Sequence, residues 1–415
     1  MEKVRGREIL DSRGRPTVEA EVAVAGGASA TARVPSGAST GTHEALELRD
    51  GDPTRYAGRG VRKAVSHIDG EIAAALRGKD ALDQEGIDRA LRDLDGTPNK
   101  SRLGANAILA ASMACARVAS VALGVPLHER MKGKRPNALP VPMLNVLNGG
   151  AHADNNINVQ EFMLVPVGAP SFAEGLRWGC ETYDRLRERL RKAHLATAVG
   201  DEGGFAPDLA SDEEALRLLI EAIVDAGYRP GEQVAIALDV AATELCENGR
   251  YTLFGIEKGS ADDLIERYRD LCARYPIISV EDPLAEDDWE AWGRLTAALG
   301  SNVGVVGDDL YVTSPERLRR GIAERSSNAI LIKLNQVGTV SETLEAVRMA
   351  HDASWTAIVS HRSGETEDTF IADLAVGTGC GWIKTGAPCR SERVAKYNRL
   401  LRIEESLPGR YGARR

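Results

Sequence analysis

The sequence predicts an α/β protein, a (β/α)8 barrel preceded by a smaller α+β domain. Between residues 234 and 386, short apolar runs of mostly β-branched residues end six times in an ionisable side chain. From Asp308 through Lys333 and His361 to Lys384, these ends recur at intervals of 25, 28 and 23 residues. Each interval matches one strand–loop–helix unit. Because repeated βα units close most simply into a barrel, we expect the strand ends to converge at one mouth.

The six apolar runs read as strands and the segments between them as helices. The runs are VAIALD to Asp239, IISVE to Glu281, VGVVGD to Asp308, AILIK to Lys333, TAIVSHR to His361 and Arg362, and WIK to Lys384. Segments such as SADDLIERYRDLCARY and SETLEAVRMAHDA have the apolar spacing of amphipathic helices. The pattern therefore delivers three carboxylates and two lysines to the same end of the predicted barrel.

The first 130 residues have a different pattern. Residues 1–35 alternate apolar and polar side chains around turns at 14–16 and 26–27, which predicts a small antiparallel sheet. Helical periodicity begins at Gly60. The segment MKGKRPNALP, rich in Lys, Arg and Pro, reads as a linker. We therefore expect an α+β capping domain at residues 1–131 and the barrel at residues 138–415.

Composition limits the partners and the compartment. At 415 residues with a net charge of −9 and a pI near 5.5, the chain does not have the basic balance that nucleic acid or an anionic membrane would favour. Its six cysteines form no CxxC pair, which is typical of reduced thiols. No uninterrupted apolar run approaches the roughly 20 residues of a membrane span. We expect a cytoplasmic enzyme.

Three carboxylates on separate strands indicate a metal site. Asp239, Glu281 and Asp308 would hold Mg²⁺ through hard oxygen ligands and leave positions open for substrate oxygens. A zinc site is less favoured, because no histidine or cysteine joins these three at the strand ends. The alternative is that the carboxylates form ion pairs with Lys333 and Lys384.

The basic residues suggest proton transfer and anion binding. Lys333 could act as a base if neighbouring cations lowered its pKa. Arg362 and Ser363 would form a clamp for phosphate or carboxylate. The plainer alternatives are a surface cation for Lys384 and an ion pair to Glu365 or Asp368 for Arg362. Together these groups suit proton removal beside a carboxylate, followed by loss of water, since cations stabilise the enolate-like charge.

Three upstream loops add candidates. The SGASTG segment at residues 36–41 could approach a phosphate and offer hydroxyls to a metal. NGGAHADNN contains His152 and is followed by Gln160 and Glu161, and GDEGG contains Glu202. Each of these loops also fits an ordinary solvated turn.

The chain resembles the enolase family from end to end. The matching segments are LDSRG, VPSGASTG, EALELRDGD, LDGTPNKSRLGANAIL, LPVPMLNVLNGG, QEFM, GDEGGFAP, ISVEDP, VGDDL, SHRSGETEDT and IKTGAPCRSERVAKYN. The resemblance implies a modified, TIM-like (β/α)8 barrel that is partly antiparallel. It also implies reversible dehydration of 2-phosphoglycerate, a small phosphorylated three-carbon acid, to phosphoenolpyruvate, with two Mg²⁺ per site. Family members form homodimers and sometimes octamers.

The resemblance assigns roles position by position. It makes Lys333 the base at C2, Glu202 the acid at the C3 hydroxyl, and Glu161 and His152 their support. It makes Asp239, Glu281 and Asp308 the ligands of one Mg²⁺, and Ser39 a ligand of the second beside the phosphate. It assigns substrate binding to five residues: Gln160, His361, Arg362, Ser363 and Lys384.

Departures from the family pattern keep alternatives open. Arg15 replaces the usual Asn, Asn158 replaces a common Asp, Cys389 replaces a small residue, and the segments before Pro140 and after Tyr251 are short. Such a divergent paralogue could be a carboxyphosphonoenolpyruvate synthase, which uses phosphonoformate in phosphonate biosynthesis with the same catalytic residues. A third alternative is a non-catalytic binding protein on the same fold, although the presence of Lys333 and Glu202 favours catalysis.

Overall fold

The N-terminal region begins with the predicted antiparallel sheet. The structure, a computed structural model, describes residues 1–37 and 41–412. The sheet has the order β1-β2-β3, with strands β1 Lys3–Leu10, β2 Pro16–Ala23 and β3 Ser29–Arg33. Leu10 pairs with Pro16 across the first turn, where Gly14 adopts a φ of +69° that favours glycine. The prediction for residues 1–35 is confirmed.

Helices cover this sheet. They are α1 Arg62–His67, which continues through a π-helical turn at Ile68–Ile72 into α2 Ala73–Leu76, then α3 Gln84–Asp95, α4 Ala105–Leu123 and α5 Leu127–Arg130. Helix α4 packs against β2 and β3. Among the described residues, α4 is the one helix long and apolar enough to cross a membrane, but 78% of its apolar window is buried in the protein. It is therefore placed as the core helix of this region.

Eight strands form a closed barrel. They are β4 Val141–Asn148, β5 Glu161–Val165, β6 Ala235–Asp239, β10 Ile277–Glu281, β11 Gly304–Gly307, β12 Ala329–Ile332, β13 Thr356–Ser360 and β14 Trp382–Lys384. Between β6 and β10 lies a small antiparallel sheet of β7 Cys246–Glu247, β8 Arg250–Leu253 and β9 Ile256–Gly259.

One barrel strand runs against the others. Strand β5 pairs antiparallel with both β4 and β6, whereas the remaining pairs are parallel. A uniform βα repeat predicts parallel strands throughout, and this expectation is wrong for β5. The β4–β5 connection at residues 149–160 contains only a short 3₁₀ turn, whereas a parallel neighbour is usually reached through a crossover helix. The partly antiparallel barrel implied by the family resemblance is confirmed.

Helices alternate with the barrel strands. They are α6 Phe172–Lys192, α7 Asp212–Asp225, α8 Ala261–Arg274, α9 Trp289–Leu299, α10 Pro315–Glu324, α11 Leu334–Val337, α12 Val340–Asp352, α13 Phe370–Thr378 and α14 Ser391–Glu404. Helix α8 shows how the local sequence fixes where a helix begins. Ser260 and Asp263 form a reciprocal capping box that satisfies backbone donors in its first turn.

The end of the barrel at the start of its parallel strands, here called the barrel floor, is apolar. Nine buried side chains pack together there: Val141, Met143, Met163, Val165, Ala237, Val306, Ala329, Leu331 and Ile358. A cavity of about 340 Å³ opens beside them, with Met143, Ala329 and Ile358 in its lining. The opposite end, the mouth, carries the ionisable residues.

Candidate active site

Six of the predicted residues lie at the carboxyl ends of barrel strands. They are Asp239, Glu281, Asp308, Lys333, His361 and Lys384. All six are largely buried. The mouth therefore gathers charged groups in a region of low water content, where their mutual interactions are strong.

Lys384 lies between two of the predicted metal ligands. Its Nζ is 2.8 Å from Asp239 Oδ2 and 2.8 Å from Glu281 Oε1, and 3.3 Å from Glu161 Oε1. Burial lowers the pKa of Lys384, but these carboxylates outweigh burial and raise it well above its ordinary value. At 2% exposure it is not a surface cation, so that alternative is wrong.

Lys333 contacts the third predicted ligand, Asp308. Gln336 Nε2 donates to the other oxygen of Asp308 at 2.8 Å. Burial lowers the pKa of Lys333, yet Asp308 outweighs that effect and raises it above its ordinary value. The alternative of ion pairs between the trio and the two lysines thus describes this structure.

The same residues also fit a divalent cation. Oε2 of Glu281 is buried and has no hydrogen-bond partner among the described residues. Burial and the neighbouring Asp239 raise the pKa of Glu281 well above its ordinary value. An orphaned carboxylate oxygen in a site with surplus negative charge is the environment that a hard cation would stabilise.

The geometry of the trio is not that of a tight ligand set. In the described residues, two groups have ligand atoms that all lie within 4.8 Å of one another: His152, Glu161 and Glu202, and Asp282, Asp308 and Asp309. The predicted trio is not one of them, and the ammonium groups of Lys333 and Lys384 lie against its oxygens.

Asp282 and Asp309 were missed by sequence reasoning. Asp282 accepts hydrogen bonds from the backbone N–H groups of Asp308 and Asp309, each at 2.9 Å. Burial and the adjacent Asp308 raise the pKa of Asp309 to about 8. The available signal was the second acidic residue in ISVEDP and in VGDDL, directly after each predicted ligand.

A second wall of the mouth carries Glu161, Glu202 and His152. His152 Nδ1 is 3.6 Å from a carboxylate oxygen of each glutamate, and Asn145 Nδ2 donates to Glu202 Oε2 at 3.0 Å. Burial and the nearby Glu202 raise the pKa of Glu161 well above its ordinary value. Burial also raises the pKa of Glu202, but contact with the His361 ring and the positive charge of Arg393 lower the net value well below its ordinary range. In this structure the opposite shifts favour a protonated Glu161 beside an ionised Glu202.

Gln160 and Arg362 connect this wall to other parts of the site. Gln160 Nε2 is 3.3 Å from Asp239 Oδ2. The Arg362 guanidinium donates to both carboxylate oxygens of Glu44, at 2.9 and 3.1 Å. Glu44 comes from the N-terminal region and was missed by sequence reasoning. With Glu365, which the sequence offered as an alternative ion-pair partner, Arg362 makes a backbone contact, from its N–H to Glu365 Oε1 at 3.3 Å.

The remaining predicted residues are Ser363 and Ser39. Ser363 Oγ accepts a hydrogen bond from Arg13 Nη1 at 3.3 Å, which ties the predicted anion clamp to the first turn of the chain. Asp368, the other alternative partner of Arg362, pairs with Arg117. Ser39 lies outside the described residues.

The fold and the site define a class. A barrel mouth that combines a lysine, paired glutamates and a set of oxygen ligands for a metal belongs to an acid–base enzyme of the metal-dependent α/β barrels.

Comparison with known proteins identifies the family. Residues 1–131 match the model of the enolase N-terminal domain, and residues 136–412 match that of the enolase C-terminal TIM barrel domain. An enolase from Acidothermus cellulolyticus is 58% identical over 407 residues, which cover 98% of this chain and 94% of the relative. This chain belongs to the enolase family.

Proposed function

We propose that this chain, a lyase of the enolase family, catalyses the reversible dehydration of 2-phosphoglycerate to phosphoenolpyruvate. The observation that carries the proposal is the placement of Lys333 and Glu202 at one buried mouth, with the predicted metal ligands beside Lys333. A base and an acid in separate positions suit removal of the C2 proton and departure of the C3 hydroxyl.

A metal would be held by Asp239, Glu281 and Asp308, and we infer Mg²⁺ from their oxygen ligands. When bound, such an ion stabilises negative charge on the substrate carboxylate. Ser39 would contribute to a second Mg²⁺ position, as the family resemblance implies. Lys384 and Lys333 now contact these carboxylates, so we expect both lysines to turn toward substrate when the oxygens are engaged elsewhere.

Lys333 would take the C2 proton. In the structure Asp308 holds its ammonium and raises its pKa. If Asp308 bound a cation, it would no longer raise the pKa of Lys333. The positive charges of Arg362 and Lys384, which lower that pKa, would then be less opposed. Lys333 would therefore be able to accept a proton only when a cation is bound.

Glu202 would protonate the leaving hydroxyl with a proton received from Glu161, whose raised pKa makes it the protonated member of the pair, and His152 contacts both glutamates. We assign the grip on substrate to Gln160, His361, Arg362, Ser363 and Lys384. Both terminal nitrogens of Arg362 donate to Glu44, so an incoming phosphate would compete with Glu44 for the guanidinium.

The alternatives are less well supported. The 58% identity to a relative named enolase, over nearly the full chain, favours 2-phosphoglycerate over phosphonoformate chemistry. Retention of Lys333 and Glu202 favours catalysis over a purely binding role. We further propose a cytoplasmic enzyme that forms homodimers, or octamers, with no nucleic-acid or membrane partner.

Substitution of the base and the acid tests the assignment. Lys333→Ala removes the group that takes the C2 proton, so exchange of that proton with solvent should fall by roughly 10²- to 10⁴-fold. Glu202→Gln should keep the exchange and lose dehydration by a similar factor. Proton exchange is measured by NMR in D₂O, and dehydration by phosphoenolpyruvate absorbance.

Two controls complete this experiment. Lys134→Ala removes an exposed lysine whose partner is Asp352, and both rates should stay unchanged. Wild-type protein is also assayed with phosphonoformate added. Near-normal exchange in Lys333→Ala would refute the base assignment, and a phosphonate-dependent product would favour the synthase alternative.

A further inference from the structure

Arg393 is a buried cation for which the proposed mechanism has no role. It lies in the first turn of α14 and is fully buried. Its Nη1 donates to Arg362 O at 2.6 Å, and its Nη2 donates to Ser363 O at 2.5 Å and to Asp201 O at 3.1 Å. One guanidinium thus joins the loop that carries Glu202 to the segment that follows β13.

The same guanidinium contacts His361. Arg393 Nη1 is 2.5 Å from Nδ1 of the ring. Burial lowers the pKa of His361 to about 3, so the ring is neutral and carries one N–H. An arginine side chain only donates hydrogen bonds. Nδ1 must therefore accept, and the single ring proton must lie on Nε2.

That proton is directed to the acid. His361 Nε2 lies 3.1 Å from Glu202 Oε2. The contact does not have regular hydrogen-bond geometry, and Nε2 has no other hydrogen-bond partner among the described residues. Catalytic contacts of this kind commonly tighten when substrate binds. If the proton were on Nδ1 instead, the lone pair of Nε2 would face Glu202 Oε2, and the contact would be repulsive.

Lysine could not replace this arginine. The planar fork reaches a ring nitrogen and three carbonyl oxygens, which lie on two separate segments. An ammonium has three donors at a single point and cannot match that spread.

We propose that Arg393 is a positioning residue for the acid step, which acts through His361 to fix the ring orientation and tautomer that direct an N–H to Glu202. This inference rests on the proposed function for its kinetic consequence, but the tautomer itself is independent of any substrate. Arg393 has no ion pair or hydrogen bond with Lys333 among the described residues, and it contacts Arg362 and Ser363 only at their backbone carbonyls, so proton removal at C2 should depend on it much less than the acid step does.

The substitution Arg393→Lys separates the two steps. We expect dehydration of 2-phosphoglycerate to fall about 100-fold, the size of a misplaced catalytic group, while C2 proton exchange stays within about threefold of wild type. Arg399→Lys is the matched control on the same helix. Arg399 pairs with Asp373 away from the site, so both rates should stay near wild type.

A double substitution tests whether Arg393 acts through His361. His361→Gln alone should slow dehydration, and adding Arg393→Lys should cost little more, because contacts that act in series are not additive. An equal fall in exchange and dehydration for Arg393→Lys, or full additivity in the double variant, would overturn the inference.

The ring tautomer gives a readout that does not need an active variant. Nitrogen-15 NMR of the wild-type histidines should show His361 neutral with its proton on Nε2, assigned by its loss in His361→Gln. A proton on Nδ1 would overturn the inference even if Arg393→Lys fails to fold. Absence of turnover in wild type would instead contradict the proposed function and leave the tautomer result standing.

Discussion

The two ends of the barrel are built from the same strands and have opposite chemistry. On β6, Ala237 belongs to the apolar cluster of the floor, and two residues later Asp239 faces the mouth. On β12, Leu331 lies in the floor, and Lys333 follows at the mouth. A step of two residues keeps the same inward face of a strand. The comparison shows that one inward-facing row supplies packing at one end and chemistry at the other.

The two ends also differ in how well their groups are satisfied. In the floor, Leu331 and the other members of the apolar cluster are buried and carry no polar side-chain atom that needs a hydrogen-bond partner. In the mouth, the buried oxygens Glu161 Oε2, Glu281 Oε2 and Gln160 Oε1 have no partner among the described residues. Such groups cost free energy in the folded protein. The mouth is therefore organised for a ligand, and the floor supplies stability.

Truncation in the floor should have the largest effect on stability. Leu331→Ala removes a side chain with 0% exposure and leaves a cavity, so the free energy of unfolding should fall by about 2–5 kcal/mol. Turnover of 2-phosphoglycerate should change less than a few fold, since Leu331 does not reach the mouth. Urea unfolding and steady-state kinetics measure the two quantities.

An exposed leucine provides the control. Leu123, at the end of α4, is 50% exposed, and Leu123→Ala should change the free energy of unfolding by less than about 1 kcal/mol. If Leu331→Ala lost its activity at a temperature where it remains folded, the separation between floor and mouth would be wrong.

Neutralising a carboxylate of the mouth should weaken ligand binding and change stability little. Glu281→Gln removes a proposed metal ligand, so affinity for Mg²⁺ should fall by at least about 100-fold, as measured by calorimetric titration. Its free energy of unfolding without metal should stay within about 1 kcal/mol of wild type. The reason is that Glu281 is held among like charges, and Lys384 keeps Asp239 and Glu161 as partners.

The metal-free state is essential to this prediction. Added Mg²⁺ should raise the melting temperature of wild type and have little effect on Glu281→Gln, because a ligand stabilises only the state that binds it. Equal stabilisation of both proteins by Mg²⁺ would remove Glu281 from the metal site.

The sequence predicts the barrel and its active ends because strand periodicity and motif spacing are local properties. Each apolar run ends in the ionisable residue that reaches the mouth. The reversal of β5 could not be predicted from the repeat, since it depends on how the connection at residues 149–160 folds. Glu44 and Arg393 could not be placed by pattern either, because their partners lie hundreds or tens of residues away. Contacts of that range are set by tertiary packing.

Ser279 is a buried polar residue of the floor whose hydroxyl is unsatisfied, as several groups of the mouth are. Removal of this hydroxyl should have the smallest effect on stability. It lies on β10, lines the floor cavity, is 7% exposed, and its Oγ has no partner among the described residues. Because an unsatisfied buried hydroxyl costs free energy, Ser279→Ala should leave stability unchanged or raise it by up to about 1 kcal/mol.

A satisfied buried serine is the matched control for Ser279. Ser112 Oγ donates to Asp88 Oδ1 at 2.6 Å and accepts from the Val340 backbone N–H at 3.0 Å. Ser112→Ala should therefore lower the free energy of unfolding by about 1–3 kcal/mol, because the Val340 N–H loses its acceptor and Asp88 Oδ1 keeps only its hydrogen bond from Gln84. Urea unfolding of the two variants decides the point. A loss for Ser279→Ala as large as that for Ser112→Ala would mean that the Ser279 hydroxyl is solvated in the cavity, and that the floor is not dry.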